Sequence, residues 1–457
     1  MKIHRFLLVI HRWFGLVMAL FMVLVGLTGS ILALRPQLDR LLTPERYAKP
    51  RPGVAPLDLN TLVDRVQSLV PPGKEVSLVG IEPDRVRVGI APPALTLSTE
   101  VLEQRLGMSL QQIREMGFFT RLLKMAEMRG KLRDLLSSDD LSTVFLDPWT
   151  GKEIARTGGD KSFMSFIYVL HYSLNIPMGK RILGIIALIW TLDCFVAFCL
   201  TLPPRLRSAA GTSPTTLSWW ARWKPAWLLK TNAGPYRLNL DLHRASGLWL
   251  WAILFVFAWS SVMFNLQSVY APVTRALFGY ESSKDINARR PRSIPDSGPP
   301  PSLHEMLATG QRLAAAEGAS RRLVVGAPIA VMTIPPALVR VILRSDNPSC
   351  QSSLSTDHCL VLEFGSQTGQ VTSFRAAKQN AYFGNDVSDW LKKLHVAYPL
   401  GIAYQIFVFF LGLVIAMLSV TGVYLWWKKR SIRRGRRKGG ERGAVPAAGV
   451  GAMEAGS

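Results

Sequence analysis

The sequence predicts a polytopic α-helical membrane protein with four transmembrane helices in two parallel repeats and two outer α+β domains. Three observations lead to this fold class. Hydrophobic residues make up 49% of the 457-residue chain, which includes 13 tryptophans, and this is too rich for one soluble core. Four long apolar runs flank two long mixed segments, and the motif H-R-x-x-G-L opens each half of the chain.

The four apolar runs are each long enough to cross a hydrocarbon layer of roughly 30 Å at about 1.5 Å per residue. They are residues 6–34, 182–202, 248–266 and 402–427. The first run has a basic start, but it is longer than a signal-peptide core and lacks a small-x-small cleavage site. We therefore interpret it as a retained anchor, and four spans place both termini on one side.

Orientation follows from the short charged segments, because long translocated domains do not obey the positive-inside rule. Segment 203–242 carries six Lys or Arg residues against the single acidic Asp241, and the tail from residue 428 begins K-K-R-S-I-R-R. These segments are predicted to be cytoplasmic. The net charge of +23 then reflects topology, and with no nucleic-acid motif beside it we expect no nucleic-acid partner.

Two outer segments, about 35–162 and 268–389, are predicted to form small α+β domains. Residues 85–90 and 338–343 alternate as half-buried strands do, and a proline-rich linker covers 291–301. Cys350 and Cys359 close a short loop that could hold a disulfide in an oxidising compartment. Cys194 and Cys199 lie five apart on the second span and face different sides of its helix, so they cannot pair.

An internal repeat organises the chain. The motif H-R-x-x-G-L stands at 11–16 and 243–248, and a strand followed by a T-G turn stands at 144–152 and 361–370. A Leu-His pair followed by Pro and Gly precedes both the second and the fourth span. Because each half starts and ends on the same side, the repeats run parallel and predict a pseudo-twofold axis along the membrane normal.

The repeat turns four histidines into two pairs, His11 with His243 near the cytoplasmic face and His171 with His395 near the outer face. Neutral imidazole is a common iron ligand, and haem iron takes axial ligands from opposite sides of a flat macrocycle. The alternative is that each histidine is an interfacial residue at the end of a span. The four histidines occupy equivalent positions in the two repeats, and this favours haem ligands over interfacial residues. Zinc is disfavoured because no cysteine or carboxylate lies at ligand spacing around these histidines.

The glycines and arginines next to the inner histidines can each be interpreted in two ways. Gly15 and Gly247 follow the histidines at i+4, where a missing side chain either leaves room for a porphyrin or permits close helix packing. Arg12 and Arg244 either pair with haem propionates or act as positive-inside anchors, and the second reading is favoured.

Asp193 is a charged residue within the second span and therefore needs a partner. It either assists proton movement or quinol oxidation, or bonds to a hydroxyl such as Thr191 or to a neighbouring helix. No G-x-G-x-x-G fingerprint follows a strand, so a quinol or a redox partner protein is the expected electron donor.

In combination, the H-R-x-x-G-L spans, the D-P-W-T-G stretch at 147–151, the Leu-His pairs and the ending T-G-V-Y-L-W-W at 421–427 resemble the PepSY-associated transmembrane family. The resemblance runs from about residue 4 to residue 430. It implies an iron-regulated bacterial inner-membrane protein similar to the di-haem ferric-siderophore reductases of that family. Two departures stand out: the second span lacks the T-G-x-x-L-W-W ending, and Gly365-Ser366-Gln367 replaces D-P-W.

The resemblance implies the following division. The first half would contain transmembrane helix 1 (1–35), periplasmic PepSY-like domain 1 (36–162) and a periplasmic-interface helix with transmembrane helix 2 (163–203). A cytoplasmic loop (204–242) would join it to the second half. The second half would contain transmembrane helix 3 (243–267), periplasmic PepSY-like domain 2 (268–389), a periplasmic-interface helix with transmembrane helix 4 (390–427) and a basic, disordered cytoplasmic tail (428–457).

The implied function is electron transfer to a periplasmic Fe(III)-siderophore through two b-type haems, each held by two histidines. The ligands would be His11 and His243 on the cytoplasmic side and His171 and His395 on the periplasmic side. Helix rise puts the two sites roughly 20–35 Å apart. One electron loosens the siderophore complex, because hard oxygen ligands hold Fe(III) far better than Fe(II).

Two other functions are weighed against this one. The protein is alternatively a non-enzymatic anchor whose outer domains bind or inhibit a periplasmic partner such as a protease. A transporter component is disfavoured, because the chain shows no broken-helix pair and no nucleotide-binding motif. Arg85, Arg87, Arg340 and Arg344 either attract an anionic siderophore or, as is commoner, belong to a solvated sheet face.

Overall fold

The computed structural model describes residues 2–91, 109, 112, 115–117, 120, 142–158, 162–203, 217–282, 285, 301–334, 338–347, 350, 359–375 and 382–442. The helices in these ranges are α1 (Lys2–Ala33), α2 (Arg35–Leu42), α3 (Leu59–Gln67), α4 (Phe163–Ser173), α5 (Gly179–Thr201), α6 (Trp219–Trp223), α7 (Pro235–Trp249), α8 (Trp251–Asn265), α9 (Gln267–Phe278), α10 (Leu303–Arg321), α11 (Phe383–Val396) and α12 (Gly401–Arg442). The strands are β1 (Glu75–Glu82), β2 (Arg85–Ala91), β3 (Ser142–Leu146), β4 (Glu153–Gly158), β5 (Pro328–Ile334), β6 (Leu338–Leu343), β7 (Leu360–Gly365) and β8 (Val371–Arg375).

The chain divides into two compact units. The helical unit comprises Met1–Ala33, His171–Gln267 and Leu391–Ser457. The sheet unit comprises Leu34–Leu170 and Ser268–Trp390. Positions 291–300 of the predicted linker and 443–457 of the predicted tail lie outside the described residues.

The strands of the sheet unit form one antiparallel sheet in the order β4-β3-β2-β1-β5-β6-β7-β8. Each outer segment supplies a four-stranded meander, and β1 pairs with β5 from Leu78 opposite Met332 to Gly80 opposite Ala330. The two segments therefore form one compact unit, where the sequence predicts two separate domains. Each meander alone would leave β1 or β5 as an unpaired edge, and pairing those edges satisfies their backbone groups.

One face of the sheet carries the apolar core. Helices α3 and α10, one from each half, contact each other and pack there against buried side chains such as Val86 and Val341. Both helices have side-chain N-caps: Asp58 accepts from a backbone N–H of α3, and Ser302 forms a capping box in α10. Each half thus supplies one capped helix followed by four strands.

The two T-G turns of the repeat adopt the same geometry. In the β3–β4 turn Gly151 donates its N–H to the Asp147 carbonyl at 2.8 Å, and in the β7–β8 turn Gly369 donates to the Gly365 carbonyl at 2.9 Å. Both donors have positive φ, 67° and 64°, which explains the glycine in each half.

The cysteines behave as their positions predict. Cys350 and Cys359 are joined by a disulfide in the sheet unit. Cys194 and Cys199 are free, the first buried and the second exposed, on opposite sides of α5.

The helical unit contains the membrane-spanning candidates. Three stretches are long and apolar enough to span: Ile3–Ala33, Gly179–Thr201 and Tyr398–Ile432. The predicted third span, residues 248–266, corresponds to α8 and the last two residues of α7, and these two helices are bent by 71° at Leu250. The described residues therefore give three spans, or four if this pair is one, and the break between the two helices was not predicted. The bend follows Ser246-Gly247, a combination that weakens a helix.

The basic tail also departs from expectation. Helix α12 continues to Arg442, so residues 428–442 are helical and not disordered. A helix already nucleated within the span propagates easily into lysine and arginine, and those cations favour its C-terminal end.

Helices α1 and α12 approach each other closely at a pair of glycines. A Cβ atom on Gly26 would lie 2.6 Å from the carbonyl oxygen of Gly412. Next to this contact Ser30 donates its hydroxyl to the Phe409 carbonyl at 2.8 Å. Small residues let helix backbones meet in a membrane, and here they fix α1 against α12.

Candidate metal centres

The structure brings the four predicted histidines together as two pairs in the helical unit. His11 on α1 and His243 on α7 have ring centroids 6.0 Å apart at an interplanar angle of 58°. His171 at the end of α4 and His395 at the end of α11 are 6.2 Å apart at 60°. The two pairs therefore have nearly the same geometry.

Local sequence places the outer pair at helix ends. Helix α4 stops at Ser173 because Leu174 and Asn175 adopt positive φ, and α11 stops at Val396 because Ala397 does the same. A proline follows each of these turns and prevents the helix from resuming at once. Each histidine is thereby held in the last turn before a span.

In the outer pair, a hydroxyl group fixes each imidazole. Thr28 Oγ1 lies 3.0 Å from Nδ1 of His171, and Ser260 Oγ lies 2.8 Å from Nδ1 of His395. Each hydroxyl already donates its own proton to a carbonyl oxygen one turn earlier in its helix, at 2.7 Å and 3.0 Å. The hydroxyl oxygen must therefore accept, and Nδ1 carries the proton.

In the inner pair the imidazoles are held by a carbonyl and a carboxylate, which are stronger hydrogen-bond acceptors than hydroxyl groups. Nδ1 of His243 donates to the Leu418 carbonyl at 3.0 Å, with Thr421 Oγ1 at 3.1 Å. Nδ1 of His11 lies 3.0 Å from both carboxylate oxygens of Asp193. A carbonyl and a carboxylate only accept, so Nδ1 donates in both inner rings as well, and Nδ1 is the nitrogen by which the protein holds each of the four histidines.

Two of these partners are equivalent in the repeat. Thr28 follows His11 by 17 positions (28 minus 11), and Ser260 follows His243 by the same 17 (260 minus 243). Sequence reasoning missed both hydroxyls, although this equal spacing is a signal that would have found them.

Asp193 and Thr421 are equivalent as well. Asp193 lies nine positions after Gly184 (193 minus 184), and Thr421 lies nine after Gly412 (421 minus 412). Asp193 does not bond to Thr191, whose hydroxyl donates to a carbonyl within its own helix at 2.8 Å. Its partner lies on a neighbouring helix, as one of the sequence alternatives anticipated, and is a histidine of the inner pair.

Partial burial favours the neutral form of the outer histidines. It lowers the pKa of His171 to about 4, and burial together with the neighbouring His171 lowers the pKa of His395 to about 3. Phe257 stacks on the His395 ring at 5.1 Å and Phe264 meets its edge at 5.2 Å, which accounts for the dry surroundings. Neutral imidazole is the form that ligates metals.

Glycines near the histidines fall into two kinds. No described heavy atom lies within 4 Å of a Cβ built on Gly15, and the nearest to one on Gly247 is 3.9 Å away, so close packing does not explain these two. Gly29 and Gly422, by contrast, lie against the imidazoles that Thr28 and Thr421 hold. The glycines one turn after the inner histidines therefore have open surroundings.

The arginines next to the inner histidines make local contacts. Arg244 pairs with the buried carboxylate of Asp241 at 2.8 Å, as does Arg237 at 3.0 Å. Arg12 lies over the Trp13 ring at 5.5 Å. These contacts favour the reading of Arg12 and Arg244 as anchors.

Three of the four outer arginines are paired within the sheet. Arg85 contacts Glu82 at 2.6 Å, Arg87 reaches the same carboxylate at 3.5 Å, and Arg340 contacts Glu363 at 2.6 Å. Their charges are therefore balanced locally, which favours the structural reading.

An apolar cavity of about 400 Å³ adjoins α7. Its lining includes one polar side chain, Ser246, which lies one helical turn after His243. The lining residues are Trp227, Leu228, Leu229, Ala245, Ser246, Trp249, Leu250 and Val414.

Each histidine pair fits a ligand that takes one imidazole on each side. Two metal–nitrogen bonds of about 2 Å plus the radii of two rings give a centroid separation of roughly 6 Å, as in both pairs. No group of three or more His, Cys, Asp or Glu side chains within the described ranges is placed to hold a metal. Haem brings its own four nitrogens and needs only these two protein ligands.

A family model described as the PepSY-associated TM region matches residues 8–429. No curated protein matches the chain.

Proposed function

The chain belongs to the family of the PepSY-associated TM region, as its motifs predicted, and from that premise we propose that it is a di-haem ferric-siderophore reductase. It is a membrane protein whose helices contact the lipid bilayer. The proposed haem ligands are His11 with His243 and His171 with His395. The observation that carries the proposal is that each of these four rings is held through Nδ1, which leaves Nε2 as the ring nitrogen that could bind iron.

When bound, b-type haem would supply reversible one-electron chemistry at each pair. The protein's contribution is to hold two imidazoles at the required separation. Hydrogen bonds to Nδ1 orient a ligating histidine and raise its basicity, which is the usual arrangement around bound metals.

The spacing of the pairs along the membrane normal is comparable to the thickness of a bilayer. Thr28, which holds His171, follows His11 by 17 residues (28 minus 11) on the continuous helix α1. That corresponds to about 25 Å along the helix axis, close to the roughly 30 Å hydrocarbon thickness. The two pairs would thus lie near opposite faces of the membrane.

We place the protein in a bacterial inner membrane with both termini in the cytoplasm and the sheet unit in the periplasm. The basic segment 203–242 and the basic end of α12 support this orientation. The disulfide between Cys350 and Cys359 supports an oxidising compartment for the sheet unit. His171 and His395 would then face the periplasmic side, where the Fe(III)-siderophore is found.

The proposed electron donor is a quinol. Oxidation of one quinol to the quinone releases two electrons and two protons, which balances the reduction of two Fe(III) ions to Fe(II). Fe(II) is then released, because oxygen donors hold it weakly. The apolar cavity beside α7 supports this donor, since its lining includes Ser246, which lies one helical turn after His243.

The test uses the full chain in proteoliposomes with a short-chain quinol. Fe(III) complexes of hydroxamate, catecholate and carboxylate siderophores are added, and an Fe(II)-specific chromophore reports reduction. We expect reduction of at least one class, at least tenfold slower for His395→Ala. His304→Ala is the matched control, because His304 is exposed and pairs with Asp64 in the sheet unit. Equal rates with empty liposomes would refute the reductase and leave a membrane-anchored protein that binds or inhibits a periplasmic partner such as a protease.

A further inference from the structure

Asp193 differs from the other groups that hold the four histidines. His171, His243 and His395 are held by neutral oxygens, from threonine, serine or a backbone carbonyl. His11 is held by a carboxylate whose two oxygens both lie 3.0 Å from its Nδ1. The inner pair therefore carries a negative charge among the described partners that the outer pair lacks.

This carboxylate lies in an apolar environment, where a charged group is energetically unfavourable. The Asp193 side chain is 8% exposed and lies about two turns before the end of α5, an apolar helix long enough to span the membrane. A carboxylate within a span costs several kcal/mol unless it is compensated, and such residues generally have a functional role. Its described polar contact is the imidazole of His11.

Orientation of the ring does not require that charge. The equivalent residue, Thr421, holds His243 with a hydroxyl and the nearby Leu418 carbonyl. In the same pair, therefore, uncharged groups hold a histidine in position as well as a carboxylate does. What Asp193 adds beyond position is its negative charge.

We propose that Asp193 lowers the reduction potential of the inner haem below that of the outer haem. The oxidised iron carries one more positive charge than the reduced iron, so a nearby carboxylate stabilises the oxidised state more. A carboxylate that accepts from Nδ1 also makes the imidazole a stronger donor, with the same effect. Because the inner pair is the donor side, this difference directs electrons outward. The inference rests on the proposed function.

The first test is made on the unaltered protein. Its two midpoint potentials are measured by redox titration of the visible α-band in detergent at one fixed pH, and each is assigned by the loss of one wave in His11→Ala or His395→Ala. We expect two separate waves, with the lower one lost in His11→Ala. Equal potentials, or loss of the higher wave in His11→Ala, would overturn the inference.

The second test changes the carboxylate. Asp193→Asn keeps the size, and Asp193→Thr copies the partner of His243. We expect either variant to raise the lower potential by a tenfold change in the one-electron equilibrium, which is about 59 mV, and to leave the higher one unchanged. Thr421→Val is the control, because His243 keeps the Leu418 carbonyl and no charge is removed.

Electron paramagnetic resonance of the oxidised variants shows whether both haems keep two imidazole ligands, so that a loss of haem is not mistaken for a shift in potential. A lower potential unchanged in both Asp193 variants, or moved as far by Thr421→Val, would contradict the inference. If the unaltered protein binds no haem, both this inference and the proposed function are refuted. Two haems with equal potentials would overturn this inference and leave the proposed function standing.

Discussion

Ser260 Oγ accepts a hydrogen bond from Nδ1 of His395 at 2.8 Å, although 135 positions separate the two residues. The equivalent contact in the first half joins Thr28 to His171 at 3.0 Å. Each contact ties a span to the short helix that precedes the next span of the same half. The outer pair thus depends on hydroxyl groups that do not themselves bind a ligand.

Replacing Ser260 by alanine should weaken haem binding at the outer pair. The change leaves the buried Nδ1–H of His395 without its acceptor, which costs about 1–3 kcal/mol, and loss of such a partner typically lowers metal affinity about 10–100-fold. Haem titration into the haem-depleted protein, followed at the Soret band, measures the effect. Ser261→Ala is the control, because its hydroxyl donates to a carbonyl within its own helix. Equal affinities in the two variants would refute the role of Ser260.

Replacing Gly15 by leucine should block haem at the inner pair without harming the fold. No described heavy atom lies within 4 Å of the new Cβ, and leucine is better than glycine in a helix by roughly 0.8 kcal/mol. We expect the haem content to fall from two to one per chain while the haem-free protein unfolds at the same or a higher temperature. Gly234→Leu, at another open glycine, should keep both haems. Two haems in Gly15→Leu would show that the space beside Gly15 is not used.

Replacing Gly26 by alanine should destabilise the helical unit. The new Cβ would lie 2.6 Å from the Gly412 carbonyl oxygen, so α1 and α12 must separate. Overpacking of this kind costs about 1–3 kcal/mol. Thermal unfolding in detergent should shift downward by several degrees, whereas Gly15→Ala, at an open position, should not lower it. An unchanged unfolding temperature in Gly26→Ala would mean that this helix contact is not close.

Replacing Asp241 by alanine should lower the free energy of unfolding more than replacing an exposed acidic residue by alanine does. Asp241 is fully buried between Arg237 and Arg244, and removing one member of a buried ion pair costs about 3–5 kcal/mol. The partial exposure of both arginines puts the expected loss at or below the lower end of that range, measured as the free energy of unfolding. Asp64→Ala, at an exposed pair, should change it by less than about 1 kcal/mol. Similar losses in both variants would contradict the buried role of Asp241.

The sequence predicted the parts of the molecule that local patterns encode. Apolar length located the spans, and the repeat located the two T-G turns and the residues of both histidine pairs. The ligand role of those histidines stays a prediction.

Features that depend on distant contacts were not predictable in the same way. Pairing of β1 with β5 merges the two outer segments, and no local pattern specifies which edges meet. The bend at Leu250 lies at the start of an apolar run, where hydropathy gives no sign of a break. Thr28 and Ser260 are small polar residues in apolar helices, and only their equal spacing from His11 and His243 distinguishes them.

The central claim is that each histidine pair holds one haem, and haem stoichiometry tests it most directly. The protein is expressed with haem supplied, purified in detergent, and its visible spectrum is recorded oxidised and reduced. We expect about two low-spin b-type haems per chain. His11→Ala and His243→Ala should lose the same haem, His171→Ala and His395→Ala the other, and His304→Ala neither. A purified protein that contains no haem under these conditions would contradict the account.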